Sequence, residues 1–198
     1  MDAGNVTRIT RVLLTGPPGI GKTTVCKKVV LLLEKEGYKC DGFYTEEVRD
    51  KAHKRIGFDI VPIRNQDGRL PLARAESTLT RSQKTKYKVG QYHVFLKNFE
   101  TVALPVFDSD AEVLFIDEIG KMELFSQLFQ HKIEELFFNS LKALRVVATI
   151  PQIHKVPQQH LPVMQKLHGD RKSKVVEASK QNRDALPDEV VRLLVENL

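Results

Sequence analysis

Short unbroken apolar runs alternate along the chain with stretches of helical spacing. Arg11-Val12-Leu13-Leu14-Thr15 is apolar, β-branched in part and closed by Gly16, the pattern of a strand buried on both faces. From 22 to 35, Val25, Val29, Leu32 and Leu33 return at helical intervals, and Gly37 stands where such a helix is capped. Segments 42–45 and 56–61 read as strands joined by a charged hairpin tip at 49–55, and Asn65-Gln66-Asp67-Gly68 as a turn. Residues 73–86 are polar and basic without a period and are expected to form a loop. Residues 87–96 alternate enough for a strand, and 99–107 read as a short helix that Pro105 ends or kinks. Further buried strands are expected at 113–117 and 145–150, with a helix at 125–141 between them. A proline-interrupted helical segment reaches about Leu167, followed by a short strand at 175–177 and a helix at 184–195.

Strands alternating with helices predict an α/β fold with a mostly parallel, twisted sheet flanked by helices. The hairpin and basic loop form an insertion, about residues 41–97, between the first strand–helix unit and the second core strand. At ~150 residues per domain, the 198 residues make a single domain.

Composition narrows the class. Hydrophobic residues at 41% and charged residues at 28% exclude a disordered chain, a collagen and a disulfide scaffold. The longest apolar runs, 29–33 and 113–116, fall far short of the ~18 residues that span a bilayer, so no membrane partner is expected. Met1-Asp2-Ala3-Gly4-Asn5 carries an acid and no apolar core, which is not a signal peptide. Two cysteines, Cys26 and Cys40, predict free thiols in a reduced, cytoplasmic setting. The six histidines show no paired spacing for zinc. The net charge of +6 is uneven: residues 49–97 hold 12 Lys/Arg against 4 Asp/Glu. That segment reads either as an attractor of polyanions or as a solvated, loop-rich insertion.

The chemistry lies in two motifs. Gly16-Pro17-Pro18-Gly19-Ile20-Gly21-Lys22-Thr23 fits G-x-x-x-x-G-K-[ST] at every fixed position, between the first strand and first helix. Such a loop must wrap tightly to aim backbone N–H groups at phosphate oxygens, and its glycines permit the approach. Lys22 supplies a point charge for the outer phosphates, Thr23 a hydroxyl for Mg²⁺, and the helix that continues through Thr24 points its positive end at the anion. The second motif is Val113-Leu114-Phe115-Ile116-Asp117-Glu118, an apolar strand ending in acids, the Walker B arrangement. Asp117 is placed to hold Mg²⁺ through water, opposite Thr23. Glu118 is placed to accept a proton from a water at the outer phosphate, or to orient that water.

Secondary candidates surround this pair. Thr149, at the end of the next strand, can sense the outer phosphate or serve only as a strand residue. Lys121 can stabilise transition-state charge or be a solvated lysine, and Arg49 and Arg55 compete for that role. Asn182-Arg183-Asp184 can touch a base or cap the last helix.

Five segments together resemble one family. They are Gly16 through Thr23; Asp41-Gly42-Phe43-Tyr44-Thr45-Glu46-Glu47-Val48-Arg49; Arg55-Ile56-Gly57-Phe58-Asp59; Val89-Gly90-Gln91-Tyr92; and Asp117-Glu118-Ile119-Gly120-Lys121-Met122-Glu123-Leu124. The family is that of the small cancer-related nucleoside-triphosphatases of archaea, bacteria and animals, and the resemblance runs nearly end to end. It implies a P-loop fold between the RecA-like and nucleotide-kinase types. It also implies Mg²⁺-dependent hydrolysis of nucleoside 5′-triphosphates (ATP, GTP, CTP, UTP) with loose base preference. By resemblance, Gly16 through Thr23 and the segment Val113, Leu114, Phe115, Ile116, Asp117, Glu118, Ile119 and Gly120 line the nucleotide. The chain departs from that family in its long basic stretch from 75 to 88, where a shorter loop is usual. Two other readings stay open: a nucleotide or small-molecule kinase on the same fold, and an NTP-gated RNA-binding protein. For the latter, residues 69–86 contain no aromatic for base stacking. A monomer is expected.

Overall fold

A computed structural model describes residues 8–140 and 144–195. Its strands are β1 (Arg11–Thr15), β2 (Cys40–Arg49), β3 (Arg55–Pro62), β4 (Leu70–Ala75), β5 (Lys88–Val89), β6 (Tyr92–Val94), β7 (Val113–Ile116), β8 (Arg145–Thr149) and β9 (Ser173–Glu177). The α-helices are α1 (Lys22–Lys35), α2 (Leu96–Ala103), α3 (Gln127–Glu134), α4 (Leu161–Gly169) and α5 (Leu186–Val195). All the strands share one sheet in the order β5-β6-β4-β3-β2-β7-β8-β1-β9. From β2 to β9 every neighbouring pair is parallel. Beyond β2 the insertion adds β3, β4, β6 and β5 as antiparallel strands.

The parallel half is covered on both faces, which is why its strands are continuous apolar runs. Side chains alternate between two cores. Val12, Leu14, Val113, Phe115 and Val147 pack towards α1 and α5. Leu13, Leu114, Ile116, Val146 and Ala148 pack towards α2, α3 and α4. In the second core Phe99 stands edge-on to Phe43 and to Phe129, with ring centroids 5.8 and 5.0 Å apart. No helix of the described residues is long and apolar enough to cross a membrane.

The β2–β7 contact depends on one glycine. Gly42 has φ 136° and pairs with Phe115, and a β-carbon there would lie 2.0 Å from the Phe115 carbonyl oxygen. Gly42→Ala is therefore expected to cost about 3 kcal/mol or more, because both the backbone and the sheet spacing must yield. Urea unfolding checks this, and an unchanged midpoint would contradict it.

Four expectations need correction. Residues 73–86 are not all loop: β4 runs from Leu70 to Ala75, and the loop that follows holds short 3-10 turns at Glu76–Thr78 and Arg81–Gln83. Pro71 and the small Ala73 and Ala75 hide the alternation. The strand exists because β3 and β6 pair with it on either side, with a register shift at Phe58/Asp59 opposite Pro71. The single strand expected at 87–96 is two short strands around Gly90, whose φ is 56°. Helix α2 starts at Leu96 and ends at Ala103, ahead of a 3-10 turn begun by Pro105. The helix expected at 125–141 begins at Gln127, where the Ser126 hydroxyl accepts from the Phe129 amide, and passes after Glu134 into a π-helical turn. The expected end at Leu141 and the segment Met1 to Asn5 lie outside the described residues.

Candidate active site

The site forms where β1, β7 and β8 end at their carboxyl edge, the usual location in an open parallel sheet. Residues 16–21 link β1 to α1. Gly16, with φ 142°, passes so close to the chain after β9 that a β-carbon would meet the Ala178 carbonyl oxygen at 2.6 Å. Gly19 and Gly21 also have positive φ, and Gly21 occupies the cap position of α1. No side chain caps that helix, so its first amides point into the loop. The Lys22 ammonium donates to the carbonyl oxygens of Gly16 and Pro17 at 3.1 and 3.4 Å. It is thereby held over the loop mouth. Pro17, Pro18 and Thr24 are exposed, and Ile20 is half-buried.

Asp117 joins the two motifs. It is buried at the end of β7, and its carboxylate is clamped by two hydroxyls. Thr23 donates to Oδ2 and Thr149 to Oδ1, each at 2.6 Å. The Thr45 backbone amide adds a third bond. Burial pushes the Asp117 pKa up, and these bonds with the nearby Lys22 charge oppose the rise. Val113, Leu114, Phe115, Ile116 and Ile119 are fully buried and fix the acids by packing.

Glu118 lies just beyond. Its pKa is raised to about 6, first by burial and then by the Asp117 charge, while Lys22 and Lys121 pull it down. A second carboxylate, Glu123, lies beside it. A β-carbon on Gly120 would sit 3.0 Å from an oxygen of each. Burial and then the Glu118 charge push Glu123 up to about 8, and two charges side by side are disfavoured there. The signal for Glu123 was present in the sequence as an acid five residues after Glu118. Only the 3-10 turn that buries it shows that it shares the site.

Other candidates are committed elsewhere. The Thr149 hydroxyl holds Asp117. Arg49 and Arg55 both pair with Glu47, and Arg55 also donates to the Tyr92 hydroxyl at 3.1 Å. Asn182 closes the loop after β9, accepting from the Ser179 amide and donating to the Glu177 carbonyl. Arg183 reaches the Ile20 carbonyl at 3.5 Å and so flanks the phosphate loop. Cys26 and Cys40 are buried free thiols, and burial raises both above the ordinary thiol range. Much of the insertion's charge is paired internally: Arg69 and Arg74 with Asp59, and Lys84 and Lys88 with Glu76.

Comparison with known proteins agrees with this geometry. A family model described as NTPase matches residues 11–191. The mouse cancer-related nucleoside-triphosphatase homolog is 40% identical over 191 residues, covering 92% of this chain and 95% of that protein. The human cancer-related nucleoside-triphosphatase is 40% identical over 188 residues, covering 91% and 94%. The nucleoside-triphosphatase THEP1 of Thermotoga maritima is 34% identical over 187 residues, covering 93% and 95%. In three dimensions, the crystal structure of THEP1 from the hyperthermophile Aquifex aeolicus matches with a TM-score of 0.73 at 30% identity, over 93% of this chain and 99% of that one. With the phosphate loop, the clamped Asp117 and this end-to-end likeness together, the chain belongs to the NTPase family.

Proposed function

We propose that the protein hydrolyses the terminal anhydride of nucleoside 5′-triphosphates to diphosphate and phosphate, with Mg²⁺ and with loose base preference. The observation that carries the reading is the clamp on Asp117. Thr23 and Thr149 bring a buried carboxylate to the mouth of a phosphate loop, with Glu118 as the adjacent acid. Triphosphate oxygens meet the loop amides and the start of α1. Lys22 moves from the loop carbonyls to the outer phosphates, where a charge-assisted bond is stronger. Glu118 orients a water on the far side of the γ-phosphorus and takes its proton. Thr149 keeps Asp117 in one rotamer, and Lys121 moderates the charge at Glu118.

The donor set fits Mg²⁺. Hard oxygens of Thr23 and Asp117 converge, and such ions take few protein ligands, leaving the rest to phosphate and water. Bound there, the ion would neutralise charge that grows on the outer phosphate oxygens.

Base discrimination should be weak. The loop amides, Lys22 and Thr23 face phosphates, and Arg183 flanks the loop at the Ile20 carbonyl. Phosphate release from ATP, GTP, CTP and UTP is expected to vary in kcat/KM by less than about a hundredfold, roughly 2.7 kcal/mol, and to stop on chelation of Mg²⁺. A larger preference, or release that survives the chelator, would contradict the reading.

A further inference from the structure

A cavity of about 250 Å³ opens beside Glu118. It touches the phosphate loop only at Pro18, and none of Gly19, Gly21, Lys22 or Thr23 lines it. The space is therefore additional to the phosphate cradle and adjoins Glu118, the acid proposed above to act on the nucleophile. A hydrolytic water needs about 10–15 Å³ on the same measure, a small part of this volume.

The walls of the cavity are specific in kind. The insertion supplies one of them through Phe58 of β3, Leu72 of β4 and Val89 of β5, and Met122 continues it. The inserted half-sheet thus builds a partly apolar chamber against the catalytic acid. Two cations, Lys121 and Lys155, line the same chamber together with the carboxyl groups of Glu118 and Glu123. Lys155 is exposed and is in no ion pair among the described residues. Water alone requires neither an apolar wall nor a pair of lysines. A small organic molecule with an apolar body, an anionic end and a hydroxyl uses all three features.

We propose that this cavity holds a second substrate of that class, which receives the γ-phosphoryl group in place of water. The inference rests on the nucleotide site described above and names what fills the space in front of it. The hydroxyl oxygen of the acceptor bonds to the γ-phosphorus as the bond to the β–γ bridging oxygen breaks. The electron pair of that bond leaves with the nucleoside diphosphate, and the Glu118 carboxylate takes the hydroxyl proton. Without the acceptor, water occupies the same position and the result is hydrolysis.

The test incubates the protein with ATP and Mg²⁺ and one of three probes: 4-(hydroxymethyl)benzoate, 3-[4-(hydroxymethyl)phenyl]propionate or 6-hydroxyhexanoate. Products are read by ³¹P NMR. A phosphomonoester is expected with at least one probe. Val89→Trp fills the chamber and Lys155→Glu reverses its exposed charge. Each is expected to lower the ester yield about tenfold or more, while phosphate release without a probe stays within about threefold of wild type. Should Val89→Trp fail to fold, Lys155→Glu decides alone. No ester from any probe, or an ester yield that Lys155→Glu leaves unchanged, overturns the proposal. Ester without phosphate release would remove the hydrolase reading and keep this one, whereas release without ester would do the reverse.

Discussion

Glu118→Gln is expected to lower kcat for NTP hydrolysis by about 10²–10⁴-fold, the usual range for losing a general base, and to leave NTP affinity within a few-fold of wild type. Water is a poor nucleophile, and phosphoryl transfer depends on positioning and charge stabilisation. Lys22 and the loop amides can stabilise phosphate charge but cannot accept a proton. Asp117 has both carboxylate oxygens engaged by threonine hydroxyls. Glu123 is buried and pushed up to about 8, which disfavours its charged form. Glu118 is the remaining carboxylate, and glutamine keeps its shape without its charge. Asp117→Asn should behave differently, with a defect that rising Mg²⁺ partly relieves. Single-turnover hydrolysis beside a binding titration separates the two, and near-normal turnover in Glu118→Gln would move the base to another acid.

Lys22→Ala is expected to weaken NTP binding about 10–100-fold, since a hydrogen bond to a charged group contributes ~1.5–3 kcal/mol. The ammonium sits 3.1 Å from the Gly16 carbonyl, already above the loop. Its removal leaves triphosphate charge with one fewer partner while the loop backbone keeps its shape. Calorimetric titration with a non-hydrolysable NTP measures the change. An unchanged dissociation constant would show that the phosphates bind elsewhere.

The parallel half of the fold was legible because its signals are local. β1, β7 and β8 are unbroken apolar runs, and the phosphate loop has fixed residues at fixed spacing. The insertion was less legible. β4 contains Pro71 and two alanines and is defined by its neighbours, and β5 and β6 have two and three residues. Their pairing is a tertiary fact, and no window along the chain displays it. The same division holds at the site. Lys22, Thr23, Asp117 and Glu118 could be named from motifs. The role of Thr149 as a clamp on Asp117 needed the side-by-side register of β7 and β8. Glu123 needed a turn that folds it back against Glu118, and the chamber wall needed three strands from different parts of the insertion.

In the proposed reaction, water activated at this site attacks the γ-phosphorus of a nucleoside triphosphate. Hydrolysis of ATP by the wild-type protein in ¹⁸O-labelled water, with Mg²⁺ and no acceptor present, tests it directly by mass spectrometry of both products. The label is expected in the released phosphate, and the ADP is expected to carry none. Label in the ADP would place the attack at the β-phosphorus and contradict the assignment of Glu118 and of the site in front of it.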